Sequence, residues 1–465
     1  MPPGDFGSLR DCLGESADRS TRHLHSIDAS IALSGLARGT SLGGRLPELR
    51  DRSVLIATGD QLTSALALIE LDGVARRVTI LPPDTAAEHL GALIGCAEID
   101  AAVIDDGTAD HAALDLPVRV VCTLDIVPAE QHALPHVPTE WVLLTSGTSG
   151  VPKMALHNLA SLIAPIGARQ PLDGAVVWGT FYDIRRYGGL QIFLRAIIGG
   201  ASLVLSNAGE PIADHLARLG RCGVTHLSGT PSHWRRALMS PAIGQIAPRY
   251  VRLSGEIADQ AILDSLRATF PQARVGHAYA STEAGVAFEV DDARAGFPAD
   301  FLEHERGGVE LRLVDGALRI RSPRTAARYL GTQHASLRDG DGFVDTGDMV
   351  ERRGDRYVFA GRRGGIINVG GLKIHPEEIE AVINRHPQVR MSLVRPKQNP
   401  VTGAIVIADV VLKADCARSG GERQIKDDIL RLCRDALPRH KVPASISIVP
   451  ALDVGATGKL ARRYG

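Results

Sequence analysis

The sequence predicts an α/β protein with a large amino-terminal domain and a small carboxy-terminal α/β domain, on three observations. Short apolar runs alternate with helical patterns through the first three hundred residues, which indicates parallel strands joined by crossover helices. From about residue 308 the pattern alternates in twos and turns at Asp315-Gly316, which predicts a β-hairpin in a β-rich subdomain. Beyond Gly361 a glycine-punctuated loop precedes a new helix, so we expect domains at 1–361 and 362–465.

The amino-terminal strands are predicted from continuous apolar runs, which are typical of strands buried on both faces. Three such runs are Val54 to Ala57, Val78 to Leu81 and Ala102 to Ile104. In the carboxy-terminal region a helix is predicted to open near Pro376, because proline suits the first helical turn and Glu377 and Glu378 complement the helix dipole there.

Composition excludes several classes of function. The 465 residues include 52 basic and 53 acidic side chains, so a net charge of −1 argues against binding of nucleic acid or an anionic membrane through bulk charge. The six cysteines form no CxxC pair, and no apolar stretch approaches the roughly 20 residues that span a bilayer. A cytoplasmic protein with reduced thiols and no nucleic-acid or membrane partner is therefore expected.

The strongest local motif is LLTSGTSGVPKMALHN, residues 143 to 158, in which an apolar strand runs into a loop rich in glycine and hydroxyl residues. Such a loop can surround phosphates with backbone N–H groups, hydroxyls and one lysine ammonium, although a plain surface turn has a similar composition. It does not match the GxxxxGK[ST] pattern of P-loop NTPases. The candidate phosphate ligands are Thr145, Ser146, Gly147, Thr148, Ser149, Gly150 and Lys153.

This loop resembles SGTTGxPKG, the hallmark of the adenylate-forming superfamily, which includes acyl-CoA synthetases, peptide-synthetase adenylation domains and luciferases. Four further segments resemble that family's motifs in the same order. They are HAYASTEAG at 277–285, VDTGDMV at 344–350, GRRGGIINVGGLKIHPEEIE at 361–380 and GATGKLAR at 455–462. This sequence departs from the family pattern at Met154 and Ala280, which stand where the family usually has glycine. The resemblance implies a multi-subdomain adenylation domain followed by a mobile lid, and an ATP-dependent acid–thiol ligase.

The resemblance also implies individual roles. Lys459 would enter the active site during adenylation, and Glu283 would hold Mg²⁺ while Thr282 donates to the α-phosphate. These types suit the chemistry, because two anions meet at the α-phosphate and a carboxylate is a hard-oxygen ligand for Mg²⁺. Alone, Lys459 would be interpreted as a mobile surface charge and the Thr282-Glu283 pair as surface polarity.

Further residues are assigned by the same motifs to nucleotide binding. Tyr279 would stack on adenine, Asp348 would accept from the ribose hydroxyls, and Arg362 would contact ribose or phosphate. The adenine-side loop, usually SGGE, reads Ser254, Gly255 and Glu256 in this sequence. Half-buried packing, a turn aspartate and a solvated arginine are the respective alternatives.

Acyl and thiol binding are the least defined part of the prediction. The expected pocket residues are Tyr187, Gly229 and His277, and the gate aromatic could be Phe181, Tyr182 or Tyr187. Gly370 and Gly371 would let a pantetheine arm pass close to the backbone, and Gly364 would be the hinge of the lid. His157, His226 and His277 have no zinc-like spacing, so core or pocket-lining roles are expected for them.

The predicted substrates are a small aromatic or medium-chain carboxylic acid, ATP with Mg²⁺, and either coenzyme A or the phosphopantetheine of a carrier protein on a separate chain. Two alternatives remain at this stage. A luciferase-like oxidase shares every adenylation motif, and a non-catalytic nucleotide-binding protein could keep the fold. The presence of Lys153, Glu283, Asp348 and Lys459 favours an enzyme over the second alternative.

Overall fold

The computed structural model describes residues 7–14, 22–106, 114–129, 136–145, 152–166, 175–331, 336–369, 372–399, 403–413, 421–455 and 457–462. The predicted α/β class is confirmed, with helices and sheets throughout the described chain. The chain divides into two compact units, each made of three segments. Unit 1 comprises Met1–Ser228, Ala280–Ala287 and Arg321–Val344, and unit 2 comprises Gly229–Tyr279, Phe288–Ile320 and Asp345–Gly465.

Unit 1 contains a seven-stranded sheet whose central strands are parallel. The three predicted apolar runs form adjacent strands in it, and their side chains are almost completely buried. Asp60 caps the helix Gln61–Leu71 by accepting from the Leu62 amide, which explains why that helix begins there. In spatial order the strands are Arg328–Leu330, Lys153–Asn158, Glu140–Thr145, Arg77–Ile80, Ser53–Ile56, Ala101–Ile104 and Val118–Val121.

Five strands of a second sheet also belong to unit 1, and they pair in parallel except at the hairpin His23–Ala32. These strands are His226–Gly229, Val177–Thr180, Ser202–Val204, His23–His25 and Ser30–Ala32. The remaining elements of the unit are the strands Gly39–Thr40 and Val127–Pro128, the α-helices Asp11–Gly14, Leu33–Leu36, Leu90–Cys96, Leu159–Ile163, Tyr187–Gly199 and Ile212–Arg221, and the 3₁₀ turns Leu46–Leu49 and Ala87–His89.

Unit 2 begins with the helix Pro231–Ala237, the strand Tyr250–Ser254 and most of the parallel strand Arg274–Ser281, and the next strand, Gly285–Val290, belongs to it from residue 288 on. The predicted hairpin is confirmed, since Asp315 and Gly316 both have positive φ, 51° and 76°, as a tight two-residue turn requires. A five-stranded sheet contains it, in the order Phe297–Pro298, Arg356–Arg362, Val344–Arg353, Ala317–Arg321 and Glu310–Val314. The helix Gln260–Thr269 and the 3₁₀ turns Pro241–Gln245 and Ala299–Phe301 complete this part.

The carboxy-terminal part of unit 2 has a hydrophobic core drawn from residues between Ile367 and Ile446. The predicted helix is confirmed as Pro376–Ile383, with proline in its first turn. The other elements are the strands Ile367–Val369, Leu372–Ile374, Val389–Asn399, Gly403–Leu412 and Ser445–Ile448, the helix Glu422–Ala436, and the 3₁₀ turns Arg363–Gly365 and Arg439–Lys441. The predicted division at residue 361 does not coincide with the two units and stays a prediction.

Across the described residues, no helix combines the length and the apolar character that a membrane crossing requires.

Candidate active site

The predicted phosphate loop connects two antiparallel strands, and Thr145 and Lys153 are register partners at its two ends. Residues 146–151 lie outside the described residues, and with them Ser146, Gly147, Thr148, Ser149 and Gly150. The exposed Lys153 ammonium lies 5.2 Å from the ring centroid of Tyr329, within the range of a cation–π contact. A residue with a hydroxyl, Thr145, and a cation, Lys153, therefore lie opposite each other at the same end of this strand pair.

Glu283 lies in the turn between the strands Arg274–Ser281 and Gly285–Val290. Its carboxylate accepts from the Tyr329 hydroxyl at 3.2 Å, and its backbone carbonyl accepts from the Ala326 amide at 2.9 Å. Burial, and then the charge of Glu283, raise the pKa of Tyr329 above its ordinary value, so the hydroxyl stays protonated and donates. Tyr329 thus contacts both Lys153 and Glu283, a role that no sequence motif indicated.

His157 forms a hydrogen bond with the backbone of Thr282, the residue before Glu283. The ring is buried, and its Nε2 lies 2.7 Å from the Thr282 carbonyl while Nδ1 lies 3.1 Å from the Ser161 hydroxyl. Burial lowers the pKa of His157 to about 4, so the ring is neutral at pH 7 and can donate from Nε2. The Tyr187 ring, predicted in the acyl pocket, is also buried and lies 5.9 Å from the His157 ring.

A second group of predicted residues meets at Asp348. Its Oδ2 accepts from the Tyr279 hydroxyl and its Oδ1 accepts from Arg362 Nε at 2.9 Å. Each oxygen of a carboxylate can accept more than one hydrogen bond, so acceptor capacity for two further hydroxyls remains. Burial, and then the charge of Asp348, raise the pKa of Tyr279 well above its ordinary value, which keeps this hydroxyl a donor.

The Tyr279 ring belongs to a cluster of aromatic side chains. Its plane is nearly parallel to Phe359, at 5.0 Å and 7°, and to Phe288, at 5.5 Å and 18°. Such offset stacking fixes the orientation of the ring. The predicted stacking of Tyr279 on adenine stays a prediction.

In the third group, Lys459 lies beside the predicted adenine-side loop. Ser254 ends the strand Tyr250–Ser254, and Gly255 follows with φ +87°. The Lys459 side chain crosses Gly255 so closely that a Cβ on that glycine would lie 3.3 Å from Lys459 Cε and 4.0 Å from Nζ. Lys459 therefore lies beside a loop about 200 residues earlier in the sequence, and its predicted role in adenylation stays a prediction.

Two side chains hold the backbone on either side of Lys459, namely Thr230, which no motif indicated, and Glu256, which the motif pattern assigned to nucleotide binding. The Thr230 hydroxyl donates to the Gly458 carbonyl at 2.6 Å, and the Leu460 amide donates to Glu256 at 2.9 Å. Glu256 also accepts from the Ser232 amide and hydroxyl, at 2.9 and 3.0 Å. The only available signal for Thr230 was the Thr-Pro pair that opens the helix Pro231–Ala237.

The remaining predicted residues are placed as follows. Gly229 ends the strand His226–Gly229, and the buried His277 ring lies 3.0 Å from the Arg294 carbonyl through Nε2. Burial lowers the pKa of His277. Gly364 lies in a 3₁₀ turn without a left-handed φ, and a Cβ there would meet no atom within 4 Å. Gly370 and Gly371 lie outside the described residues.

Comparison with known families gives two matches. The family model described as AMP-binding enzyme matches residues 138–330, and the model described as AMP-binding enzyme C-terminal domain matches residues 378–459. These ranges contain two of the five motifs in full, 143–158 and 277–285, and parts of the segments 361–380 and 455–462, while 344–350 lies between the two ranges.

Curated relatives and solved structures agree with these matches. The chain is 27% identical to 4-coumarate–CoA ligase 2 of Oryza sativa subsp. japonica, over 78% of this chain and 70% of the relative. It is 26% identical to 2-succinylbenzoate–CoA ligase of Salmonella typhimurium, over 88% and 86%. The structure resembles that of the anthranilate CoA ligase AuaEII with anthranoyl-AMP, with a TM-score of 0.80 and 17% identity over 99% of this chain and 97% of that one.

Proposed function

The chain belongs to the adenylate-forming family of AMP-binding enzymes, and on that premise we propose that it is an AMP-forming acid–thiol ligase. In the first step an oxygen of a carboxylic acid bonds to the α-phosphorus of ATP, and pyrophosphate leaves as the Pα–O bond breaks. In the second step a thiol attacks the acyl carbon, and AMP leaves. The first step needs no general base, because a carboxylic acid is already ionised at neutral pH.

The position of Lys459 is the observation that best supports this proposal. Its ammonium side chain crosses the Ser254–Glu256 loop, and both neighbouring backbone groups are held by hydrogen bonds. Negative charge accumulates around the α-phosphorus as carboxylate and phosphate approach one another. A compact, positioned ammonium offsets that charge in the transition state more effectively than solvent does, because it needs no reorganisation.

The Asp348 group suits the sugar of the nucleotide. A carboxylate with acceptor capacity to spare can bind two vicinal ribose hydroxyls, and Arg362 holds Oδ1 in place at 2.9 Å. Tyr279, fixed by Phe359 and Phe288, donates to the other oxygen. We assign ribose binding to Asp348 and Arg362, and adenine contact to Tyr279 and the Ser254–Gly255 backbone.

Lys153, Thr282 and Glu283 suit the phosphates and Mg²⁺. Mg²⁺ is usually bound by one or two carboxylates together with phosphate oxygens and water. Glu283 is half-buried, and its ionised carboxylate offers only acceptor oxygens, so it fits as the single protein carboxylate. The described residues contain no cluster of three or more potential metal ligands. When bound, the ion would neutralise phosphate charge. Tyr329 would orient the Glu283 carboxylate, and His157 would fix the Thr282 peptide.

Replacement of Glu283 by glutamine tests this metal assignment. We expect acyl-adenylate formation to fall on the order of 100-fold at limiting Mg²⁺, because an amide is a poorer ligand than a carboxylate. The measurement is the rate of pyrophosphate release as a function of Mg²⁺ concentration. The matched control is Glu305→Gln, which changes an exposed glutamate. An unchanged Mg²⁺ dependence in Glu283→Gln would show that another group holds the ion.

We assign thioester formation to a second arrangement of the segment 362–465, whose hydrophobic core is its own. Gly370 and Gly371 would lie beside the pantetheine arm of coenzyme A or of a carrier protein, and Gly364 would be the hinge. Gly361 is a further hinge candidate, because its φ is +144° and a Cβ there would lie 2.4 Å from Glu377 Oε2. A φ of +144° is strained for a residue with a side chain, which favours glycine at this position.

For the acid we propose an aromatic carboxylate. The curated relatives quoted above are named for 4-coumarate and 2-succinylbenzoate, which are both aryl acids. The three candidate gate residues Phe181, Tyr182 and Tyr187 are all buried, and Tyr187 packs against the neutral His157 ring. An aromatic lining favours a flat aromatic ligand. We propose a cytoplasmic setting, because the cysteines of the described residues, among them Cys96, Cys122, Cys222 and Cys433, form no disulfide.

A panel of carboxylic acids with ATP and Mg²⁺ tests the proposed function. We expect pyrophosphate release that depends on an aryl acid, and a thioester when coenzyme A or a phosphopantetheine-loaded carrier is added. Light emission or an oxidised product without a thiol would indicate the luciferase-like alternative. Tight ATP binding with no pyrophosphate release from any acid would indicate a nucleotide-binding protein without catalysis.

A further inference from the structure

The terminal hairpin, residues 453–455 and 457–461, is held together by backbone hydrogen bonds that use neither the Gly458 carbonyl nor the Leu460 amide. The Gly455 amide donates to the Lys459 carbonyl at 2.8 Å, and the Ala461 amide donates to the Asp453 carbonyl at 2.9 Å. Val454 and Leu460 form the bridge between them. This pattern points the Gly458 carbonyl and the Leu460 amide away from the hairpin.

Those two groups, one on each side of Lys459, make the contacts with Thr230 and Glu256. The completely buried Thr230 hydroxyl has one proton, which it donates to the Gly458 carbonyl, while its oxygen accepts from the His233 amide and so caps the helix Pro231–Ala237. Glu256 Oε1 accepts from the Leu460 amide, and Oε2 accepts from the Ser232 amide in the first turn of the same helix. A carboxylate at a helix amino terminus is favourably placed, so Glu256 is itself held in orientation.

We infer that Thr230 and Glu256 are positioning residues that dock the terminal hairpin and thereby hold Lys459 at the α-phosphate during adenylation, an inference that rests on the proposed function. The motif pattern assigned Glu256 to the nucleotide side of its loop. The geometry assigns its carboxylate to two backbone amides and one hydroxyl of the protein instead. Thr230 and Glu256 act through Lys459 and do not need to touch the reacting atoms.

Separate measurement of acyl-adenylate formation and of thioester formation tests this inference. Thr230→Val and Glu256→Ala should each lower kcat of acyl-adenylate formation about 10- to 100-fold, the loss expected for a hydrogen bond to a charged or catalytically positioned group. KM for ATP should change by less than about threefold. Thioester formation from supplied acyl-adenylate should be unaffected, because Lys459 is not needed there. Thr230→Ser, which keeps the hydroxyl, should restore kcat.

Matched controls use the same substitutions elsewhere in unit 2. Thr269→Val removes an exposed hydroxyl that donates to the Ser265 carbonyl within a helix, and Glu305→Ala removes an exposed carboxylate. Both should keep wild-type half-reactions. A loss of both half-reactions together in Thr230→Val and Glu256→Ala, with no rescue by Thr230→Ser, would overturn the inference.

Amide hydrogen exchange gives a readout that does not depend on catalysis. In Glu256→Ala the Leu460 amide loses its acceptor, so its exchange should accelerate at least about tenfold. The Ala461 amide, bonded within the hairpin, should keep its rate and serves as the internal reference. If Glu256 binds the nucleotide instead, the variant should raise KM for ATP and leave Leu460 exchange unchanged, which would refute the inference. If the wild-type protein adenylates no acid, the exchange result still decides whether the contacts dock the hairpin.

Discussion

Replacement of Lys459 by alanine is expected to lower the rate of acyl-adenylate formation by about 10² to 10³, the usual cost of removing one preorganised donor from a developing anion. Thioester formation from supplied acyl-adenylate should stay within a few-fold of wild type. The reason is that the second step expels AMP from an existing acyl phosphate bond and does not bring two anions together. Pyrophosphate release measures the first step, and thioester appearance from synthetic acyl-adenylate measures the second.

The control for this change is Lys426→Ala, which removes an ammonium that pairs with Glu422 at 3.7 Å on the helix Glu422–Ala436. Surface pairs of this kind contribute little, so both half-reactions should persist in that variant. Equal loss of both half-reactions in Lys459→Ala would mean that the lysine supports the structure of the site. Full retention of adenylation would mean that another cation performs this role.

The contrast between Lys459 and Thr230 shows which parts of the site were predictable. Lys459 was predicted because the segment GATGKLAR at 455–462 resembles the terminal motif of the adenylate-forming family. Thr230 was not found, because its partner Gly458 is 228 positions away and nothing local to either residue signals the contact. The same holds for His157 and Thr282, which are 125 positions apart. Such pairs follow from how strands and loops are brought together, and periodicity describes only the elements themselves.

Glu256 illustrates a different limit. Its motif identifies the loop that follows the strand Tyr250–Ser254, and this loop lies beside Lys459. The motif does not indicate where the carboxylate points. That direction depends on the Ser232 amide in the first turn of the helix Pro231–Ala237 and on the Leu460 amide, which both donate to the carboxylate. The strands were more predictable, because a run such as Ser53–Ile56 is buried on both faces and lacks the alternating polar positions of a half-exposed strand.

Gly458→Ala is expected to impair adenylation almost as severely as loss of Lys459, because no side chain fits at this position. A Cβ on Gly458 would lie 1.9 Å from His233 Cε1, and φ is +71°, a left-handed conformation that costs a non-glycine residue about 1–2 kcal/mol. The His233 ring has little freedom to move away, since its Nδ1 lies 3.2 Å from the Thr230 amide that it caps. The hairpin must therefore leave its docked position, which withdraws Lys459 from the Gly255 loop.

The same hairpin provides the control for this prediction. A Cβ on Gly455 would meet the Lys459 carbonyl at 3.8 Å and Thr457 Oγ1 at 4.0 Å, which are ordinary contacts, and its φ is not left-handed. Gly455→Ala should therefore keep pyrophosphate release near the wild-type rate, while Gly458→Ala lowers it by about 10². Because undocking leaves the chemistry of the second step intact, thioester formation from supplied acyl-adenylate should survive in both variants. Near-wild-type adenylation by Gly458→Ala would show that Lys459 reaches the α-phosphate without the docked hairpin.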